Sequence, residues 1–203
     1  MFKAGVISAG LGTAASVNNL MNKVGADSSL ITDSEQISKY SHIVMPGVGS
    51  FDEGSKLIVG TDWEEAIKLH ASSGKMLLGV CLGMQLLGNC SEEGVLKGLG
   101  ILDFENIRLK PSVGFKVPNT GWEKVQVVSD HPISNDLLEI NRFYFVHSYA
   151  VASDTKNRIA ITEHTEPFCS IIGSENVIGV QFHPEKSHQY GKVLMKNFLS
   201  MSF

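Results

Sequence analysis

The chain has 203 residues, a net charge of −4 and three cysteines. That length suits a single domain, residues 1–203, with a sizeable core. No Lys/Arg cluster is present, which argues against nucleic-acid binding; three cysteines without metal-type spacing argue against a disulfide framework or zinc site; no apolar stretch is long enough to span a membrane.

In chain order, Phe2 to Ser8 reads as a first strand, because Gly5, Gly10 and Gly12 interrupt the apolar run that would otherwise resemble a signal peptide. Thr13 to Val24 has helical spacing of Val17, Leu20, Met21 and Val24. Ser28 to Thr32 and His42 to Met45 are strand-like, the latter ending in Pro46-Gly47-Val48-Gly49, whose plainest reading is a turn. Asp62 to Ser73 is helical, with Trp63, Ala66, Ile67 and His70 on one face. Lys75 to Val80 is a strand and Leu82 to Asn89 a helix. Alternating strands and helices predict a mostly parallel sheet with helices on both faces, its sites beyond the carboxyl ends of the strands. After Gly94 come six short strand candidates: Ile101 to Leu109, Trp122 to Val128, Phe143 to Val151, Arg158 to Glu163, Phe168 to Gly173 and Val177 to Phe182. They are expected to add antiparallel strands to the sheet. His188 to Met201 closes the chain as a helix.

The chemistry concentrates at Gly79-Val80-Cys81-Leu82-Gly83. Cys81 stands where a strand meets a helix, with glycines two residues to either side. This is the layout of the nucleophile elbow G-x-S-x-G, with Cys for Ser. The glycines permit a sharp turn and close backbone approach, and a helix N-terminus offers positive potential to a thiolate and to an oxyanion. A Cys in a buried strand is ordinarily a packing residue; the flanking glycines favour a nucleophile here. A base is offered by His183-Pro184-Glu185. Residues two apart in an extended chain project to one side, so Glu185 is expected to hold the imidazole of His183 while its other nitrogen serves Cys81. Cys90 and Cys169 are read as structural. Gly10-Leu11-Gly12-Thr13-Ala14-Ala15 fits G-x-G-x-x-A, with Asp33 about 20 residues on, and supplies a different class of reading, a dinucleotide-binding oxidoreductase. That reading leaves the elbow and His-Pro-Glu unexplained.

These stretches, with Met45 to Phe51, part of Pro118 to Trp122, Tyr144 to Tyr149 and Gln181 to Ser187, resemble the class I (triad) glutamine amidotransferases, and within them the glutaminase subunit of imidazole glycerol phosphate synthase. The resemblance spans most of the chain. It implies an α/β, flavodoxin-like fold and an oxyanion hole built from backbone N–H groups of Gly47, Val48, Gly49 and Leu82, where a peptide flip next to glycine turns an N–H inward. It puts Gln85 on the bound glutamine, although a Gln there could equally be solvated. It puts Glu93 on the substrate α-amino group, with a solvated loop Glu as the plain alternative. His147, Ser148 and Tyr149 become a substrate-side loop whose backbone holds the α-carboxylate. It implies no metal and no organic cofactor.

The implied reaction is hydrolysis of L-glutamine, with ammonia passed to a separate (β/α)₈-barrel cyclase, expected on another chain because no synthase segment follows Phe203. Gly10, Asn119, Trp122 and Lys186 are implied at that partner's interface. Two segments depart from the family. Its Asp-Tyr-Gly-x-Gly-Asn is Ser8-Ala9-Gly10-Leu11-Gly12-Thr13 here, and its Pro-His-Met-Gly-Trp-Asn is Pro118-Asn119-Thr120-Gly121-Trp122-Glu123. They keep open a paralogous subunit feeding a nucleotide-sugar amidotransferase of surface polysaccharide; a Cys peptidase on a similar fold is a third reading. A reducing cytoplasm suits the free thiols.

Overall fold

The computed structural model describes residues 3–137 and 141–202. In chain order the elements are β1 (Lys3–Ile7), α1 (Ala14–Lys23), β2 (Asp27–Ile31), β3 (His42–Gly47), α2 (Phe51–Ile58), α3 (Asp62–Ser72), β4 (Met76–Cys81), α4 (Leu82–Leu87), β5 (Cys90–Ser91), β6 (Glu105–Arg108), β7 (Asn119–Lys124), β8 (Gln126–Val127), β9 (Arg142–His147), β10 (Tyr149–Ala152), β11 (Arg158–Glu163), β12 (Pro167–Ser174), β13 (Val177–Val180) and α5 (His188–Ser200). Phe2, expected in the first strand, lies outside the described residues.

The main sheet runs β2-β1-β3-β4-β13-β12-β10-β6-β5, with β11 and β8 branching from β12. Strands β2 through β13 in that order are mutually parallel. Beyond β13 the pairing turns antiparallel through β12, β10 and β6. Strands β7 and β9 form a separate antiparallel ribbon. The expected architecture, a mostly parallel α/β sheet with antiparallel additions, is the one observed.

Both faces of the parallel part are covered, so β3 and β4 are buried along their whole length. The two-residue period of a strand then divides the core. Val44, Leu78 and Val80 pack with α1 and α5. Ile43, Met45 and Leu77 pack with α2, α3 and α4. The amphipathic period of α1 turns Val17, Leu20 and Met21 inward, as the sequence pattern requires.

Several expectations need correction. Phe143 to Val151 is two strands, not one: the chain breaks at Ser148, sending β9 to the ribbon and β10 to the main sheet. Trp122 to Val128 likewise divides into β7 and β8. Ile101 to Leu109 yields only Glu105–Arg108, because the backbone of residues 101 and 102 is spent on Leu87 at the end of α4. Helix α2 was not expected; it starts at Phe51, whose N–H is capped by a carboxylate 42 residues away, Glu93.

The elbow glycines act by close approach. A Cβ on Gly83 would lie 1.8 Å from the Met45 carbonyl oxygen, and one on Gly79 2.7 Å from the Gly83 carbonyl oxygen. Both clashes are with backbone, which cannot swing aside. Gly83→Ala should therefore destabilise the fold by at least ~3 kcal/mol, the upper range for an overpacked core. Gly25→Ala, at φ +99° with nothing within 4 Å, should cost only the ~1 kcal/mol of left-handed strain. Urea denaturation of the two variants measures the difference.

Candidate active site

Strand β4 ends at Cys81 and α4 begins at the next residue. The turn between them is taken by Cys81 itself, at φ 54° and ψ −113°. A non-glycine residue in this region is strained, and the strain is held by the packing of β4 and α4 on either side. Cys81 is only 7% exposed and lies in the wall of a cavity of about 280 Å³.

Strand β13 lies parallel to β4 with Val180 opposite Val80. Continuing that register carries His183 past the end of the sheet and into the same cavity. Its backbone N–H donates to the Tyr144 carbonyl (2.9 Å). The Ser187 hydroxyl donates to the His183 carbonyl (2.6 Å) and accepts from the Tyr144 N–H (3.0 Å), closing a small clamp on the histidine. The His183 Nδ1 faces Glu185 Oε1 at 2.8 Å, both side chains 2% exposed. The backbone reason differs from the expected one. Pro184–Lys186 is a 3₁₀ turn, not an extended segment, and the carboxylate reaches the ring across that turn. Burial alone would depress the imidazole; hydrogen bonds to Cys81 and Glu185 outweigh it and hold its pKa up at about 9. At neutral pH Cys81 therefore has a cationic neighbour.

Among the expected oxyanion donors, the Val48 N–H is committed elsewhere: it donates to the Leu11 carbonyl at 2.8 Å. Gly49, at φ +107°, occupies a conformation that suits glycine, and Gly47 pairs with Cys81 at the end of β3. Leu82 opens α4 directly after Cys81. In this conformation the loop and the first turn of the chain are tied together, and Gly12 packs so closely that a Cβ there would lie 2.7 Å from the Val48 side chain.

Val48, Gly49, Leu82, Gln85, Glu93, His147, Ser148, Tyr149 and Lys186 all line the Cys81 cavity. Three of the expected substrate residues also have partners in the protein. The Gln85 amide donates to the Tyr149 carbonyl (3.0 Å) and to Gln181 Oε1 (3.1 Å). Glu93 accepts from the Phe51 N–H at 2.7 Å. Burial pushes His147 down to about 4, leaving it neutral. Its Nδ1 lies 3.0 Å from the Tyr149 carbonyl, so that nitrogen carries the hydrogen, and Nε2 accepts from the Asn119 amide at 3.2 Å.

Of the expected interface residues, Gly10 and Lys186 are exposed. Lys186 reaches over the Tyr144 ring, 5.6 Å from its centre. Trp122 is half-buried and stacked on His188 at 5.3 Å. Asn119 is a correction: it is 1% exposed, because the β7–β9 ladder sets it opposite His147 and turns it inward. It cannot touch a partner directly.

Three residues near the site were assigned no role in it from the sequence, although Gln181 and Ser187 lie in a segment that carries the family resemblance. Gln181 is fully buried and places Nε2 3.8 Å from Cys81 Sγ. Ser187 makes the clamp above. Asn106 donates to the Gln85 and Cys90 carbonyls (3.1 and 2.9 Å), tying off α4. For Gln181 a signal existed, since it precedes His183 by two, but only the β4–β13 register shows that it abuts Cys81.

A cysteine on a strand-to-helix elbow, with a buried His–Glu pair from the neighbouring parallel strand, belongs to a chain of the class-I glutamine amidotransferase family: that family's model matches residues 6–201. Among curated relatives it is 42% identical to imidazole glycerol phosphate synthase subunit HisH 2 of Methanococcus maripaludis, over 97% of this chain and 98% of that one. It is 38% identical to subunit HisH 2 of Pseudomonas aeruginosa (97% and 98%) and 36% identical to subunit HisH of Caldanaerobacter subterraneus subsp. tengcongensis (97% of both). Solved structures share the fold at 19% identity and TM-score 0.73: a glutamine amidotransferase, covering 97% of this chain and 96% of that one, and PurLQS from Thermotoga maritima, covering 98% of both. Membership in the family accounts for the elbow and the His-Pro-Glu segment, which a dinucleotide-binding reading does not.

The histidines predict the shape of stability against pH. His183, raised to about 9 from 6.5, binds its proton more tightly when folded. Its contribution is fully present below pH 6.5 and is lost as pH rises toward 9. His147 and His70, each lowered by burial to about 4, act oppositely: their contribution is present above pH 6.5 and is lost as pH falls toward 4. Unfolding free energy measured in urea from pH 4.5 to 9 should peak near pH 6.5. His183→Gln should remove the alkaline decline and leave the acid one.

Proposed function

We propose that this chain is the glutaminase subunit of an imidazole glycerol phosphate synthase, acting as one domain over residues 1–203. The supporting observation is the line from Cys81 through His183 to Glu185, in a chain whose curated relatives carry that name over nearly their full length.

Cys81 attacks the side-chain amide carbon of L-glutamine as thiolate, and the electron pair of the C=O bond moves onto oxygen. Backbone N–H groups of Leu82 and of the Gly47–Gly49 loop receive that oxyanion. His183 gives its proton to the amide nitrogen, the C–N bond breaks, and ammonia leaves. His183, now neutral, takes a proton from water as it adds to the thioester; glutamate departs and the thiolate returns. Glu185 holds the imidazole in register and stabilises its charged form. Gln85, Glu93 and the Ser148–Tyr149 backbone hold the amino-acid end of the substrate. No metal or organic cofactor enters this scheme. Ammonia in bulk water protonates and ceases to be a nucleophile, so it passes to a docked partner, a (β/α)₈-barrel cyclase, in the cytoplasm.

The Val48 N–H ties the oxyanion loop to the Leu11 carbonyl. Partner docking against the first turn, near Gly10, is the event that releases it. Turnover then rises in kcat, because a donor seen only by the transition state is gained. The isolated chain should be a poor glutaminase, and partner with acceptor bound should raise kcat by ~10²-fold or more, the worth of one oxyanion donor. Full activity in the isolated chain would overturn this.

A second reading, a subunit serving a nucleotide-sugar amidotransferase, is favoured by the departures at Ala9, Thr13, Thr120 and Glu123. Interface specificity turns on such polar changes. Complementation separates the two. Growth of a histidine auxotroph lacking its own glutaminase subunit, at low ammonia, is the expected result. No growth, with the protein soluble and a glutamyl thioester still formed at Cys81, moves the assignment to the sugar system.

A further inference from the structure

Besides His183, the Cys81 sulfur has two polar neighbours: the Val146 carbonyl, to which the thiol donates at 3.9 Å, and a side-chain amide. Gln181 is 0% exposed, and its Nε2 lies 3.8 Å from Cys81 Sγ, within hydrogen-bond reach of a sulfur. We propose that Gln181 donates an N–H to the Cys81 sulfur and stabilises its thiolate, as the end of a chain of side-chain amides that starts at the Tyr149 carbonyl. The proposal rests on Cys81 being the nucleophile.

The orientation of the Gln181 amide is dictated by its neighbours. A backbone carbonyl can only accept, so the end of Gln85 that lies 3.0 Å from the Tyr149 oxygen is its NH₂. The second hydrogen of that NH₂ then points at Gln181, and the Gln181 atom 3.1 Å away is its oxygen. The Gln181 NH₂ is left facing the sulfur. A flipped Gln181 would set two NH₂ groups against each other and present an acceptor to a thiolate. The Tyr149 carbonyl is itself held, because the His147 Nδ1–H donates to it at 3.0 Å, and His147 is fixed in turn by Asn119.

In a buried site such a donor counts for more than in water. His183 gives up its proton during the reaction, so its help to the sulfur is intermittent. The Gln181 N–H carries no titrating proton and stays in place throughout. Its contribution is largest when the tetrahedral intermediate of deacylation collapses: the C–S bond breaks, the electron pair returns to sulfur, and the N–H meets the charge as it forms.

The test is the pH dependence of alkylation of the purified chain by iodoacetamide, with the modified residue mapped by mass spectrometry. Thiolate is the reacting form. Mapping separates Cys81 from Cys90 and from Cys169, whose thiol burial pushes up to about 12. Gln181→Met, close in shape but without a donor, should move the midpoint for Cys81 upward by about one pH unit, the weight of one hydrogen bond to a charged group. Gln181→Glu keeps the shape and the bond from Gln85 but sets a carboxylate against the sulfur, and should move it further in the same direction. Thermal melts establish that each variant is folded, and Gln181→Leu, a second variant without a donor or a charge, decides the matter if Gln181→Met does not fold. A wild-type midpoint in the folded variants overturns the proposal. Preferred labelling of Cys90 or Cys169 in the wild-type chain would instead overturn the nucleophile assignment beneath it.

Discussion

The close seating of α4 on two adjacent parallel strands is the constraint from which the site follows. Strands β4 and β13 pair with Gly79 opposite Gly179, and both glycines lie under α4. A Cβ on Gly179 would lie 2.5 Å from the Met84 side chain, as one on Gly79 would strike the Gly83 backbone. With that bed flat, the helix can begin one residue after the strand ends, and Cys81 is pressed into its strained turn. The same pairing leads His183 out beside it. Cys81 and His183, the proposed nucleophile and base, are thus placed by one strand register, although they are 102 positions apart in sequence. Because β4 and β13 are central and covered on both faces, the register cannot slip without turning a buried face outward.

Electrostatics then divides the histidines near the cavity into separate roles. His183 lies between a sulfur and a carboxylate and is held charged; His147 is held neutral, first by burial and further by the positive charge of His183 nearby. The neutral one serves as a strut. Together with Gln85 it converges on a single carbonyl, that of Tyr149, at the break between β9 and β10. The cavity wall on that side is consequently stiff. The opposite wall, formed by Val48 and Gly49, is joined to the first turn of the chain by the hydrogen bond from the Val48 N–H to the Leu11 carbonyl.

Apart from α2, the alternation of strands and helices up to Cys81 could be read from the sequence because those elements are long enough to show their own period. The elbow could be read because its geometry is local: glycine, nucleophile, glycine. The pairing of His183 with Glu185 was reached from an extended-chain argument, whereas the chain forms a 3₁₀ turn there; proximity in sequence survived the change of backbone. Features created by tertiary register were hidden. Gln181 borders Cys81 only because β13 lies beside β4. Asn119, expected on an outer face, is turned inward by the β7–β9 ladder. Helix α2 was missed although Ser50 and Glu53 stand at the N-cap and N3 positions of a capping-box pattern; the Phe51 N–H in fact donates to the distant Glu93. The run from Phe143 to Val151 is interrupted by the polar pair His147-Ser148, but that interruption does not by itself say that the two halves join different sheets.

The central claim is that Cys81 alone among three thiols is chemically committed to glutamine. It is tested most directly by treating the protein, with its synthase partner present, with a diazo-ketone analogue of glutamine and mapping the adduct by peptide mass spectrometry. The account predicts one adduct per chain, on Cys81, suppressed by competing L-glutamine and absent from His183→Ala. An adduct on Cys90 or Cys169, or labelling of Cys81 that glutamine does not suppress, would contradict it.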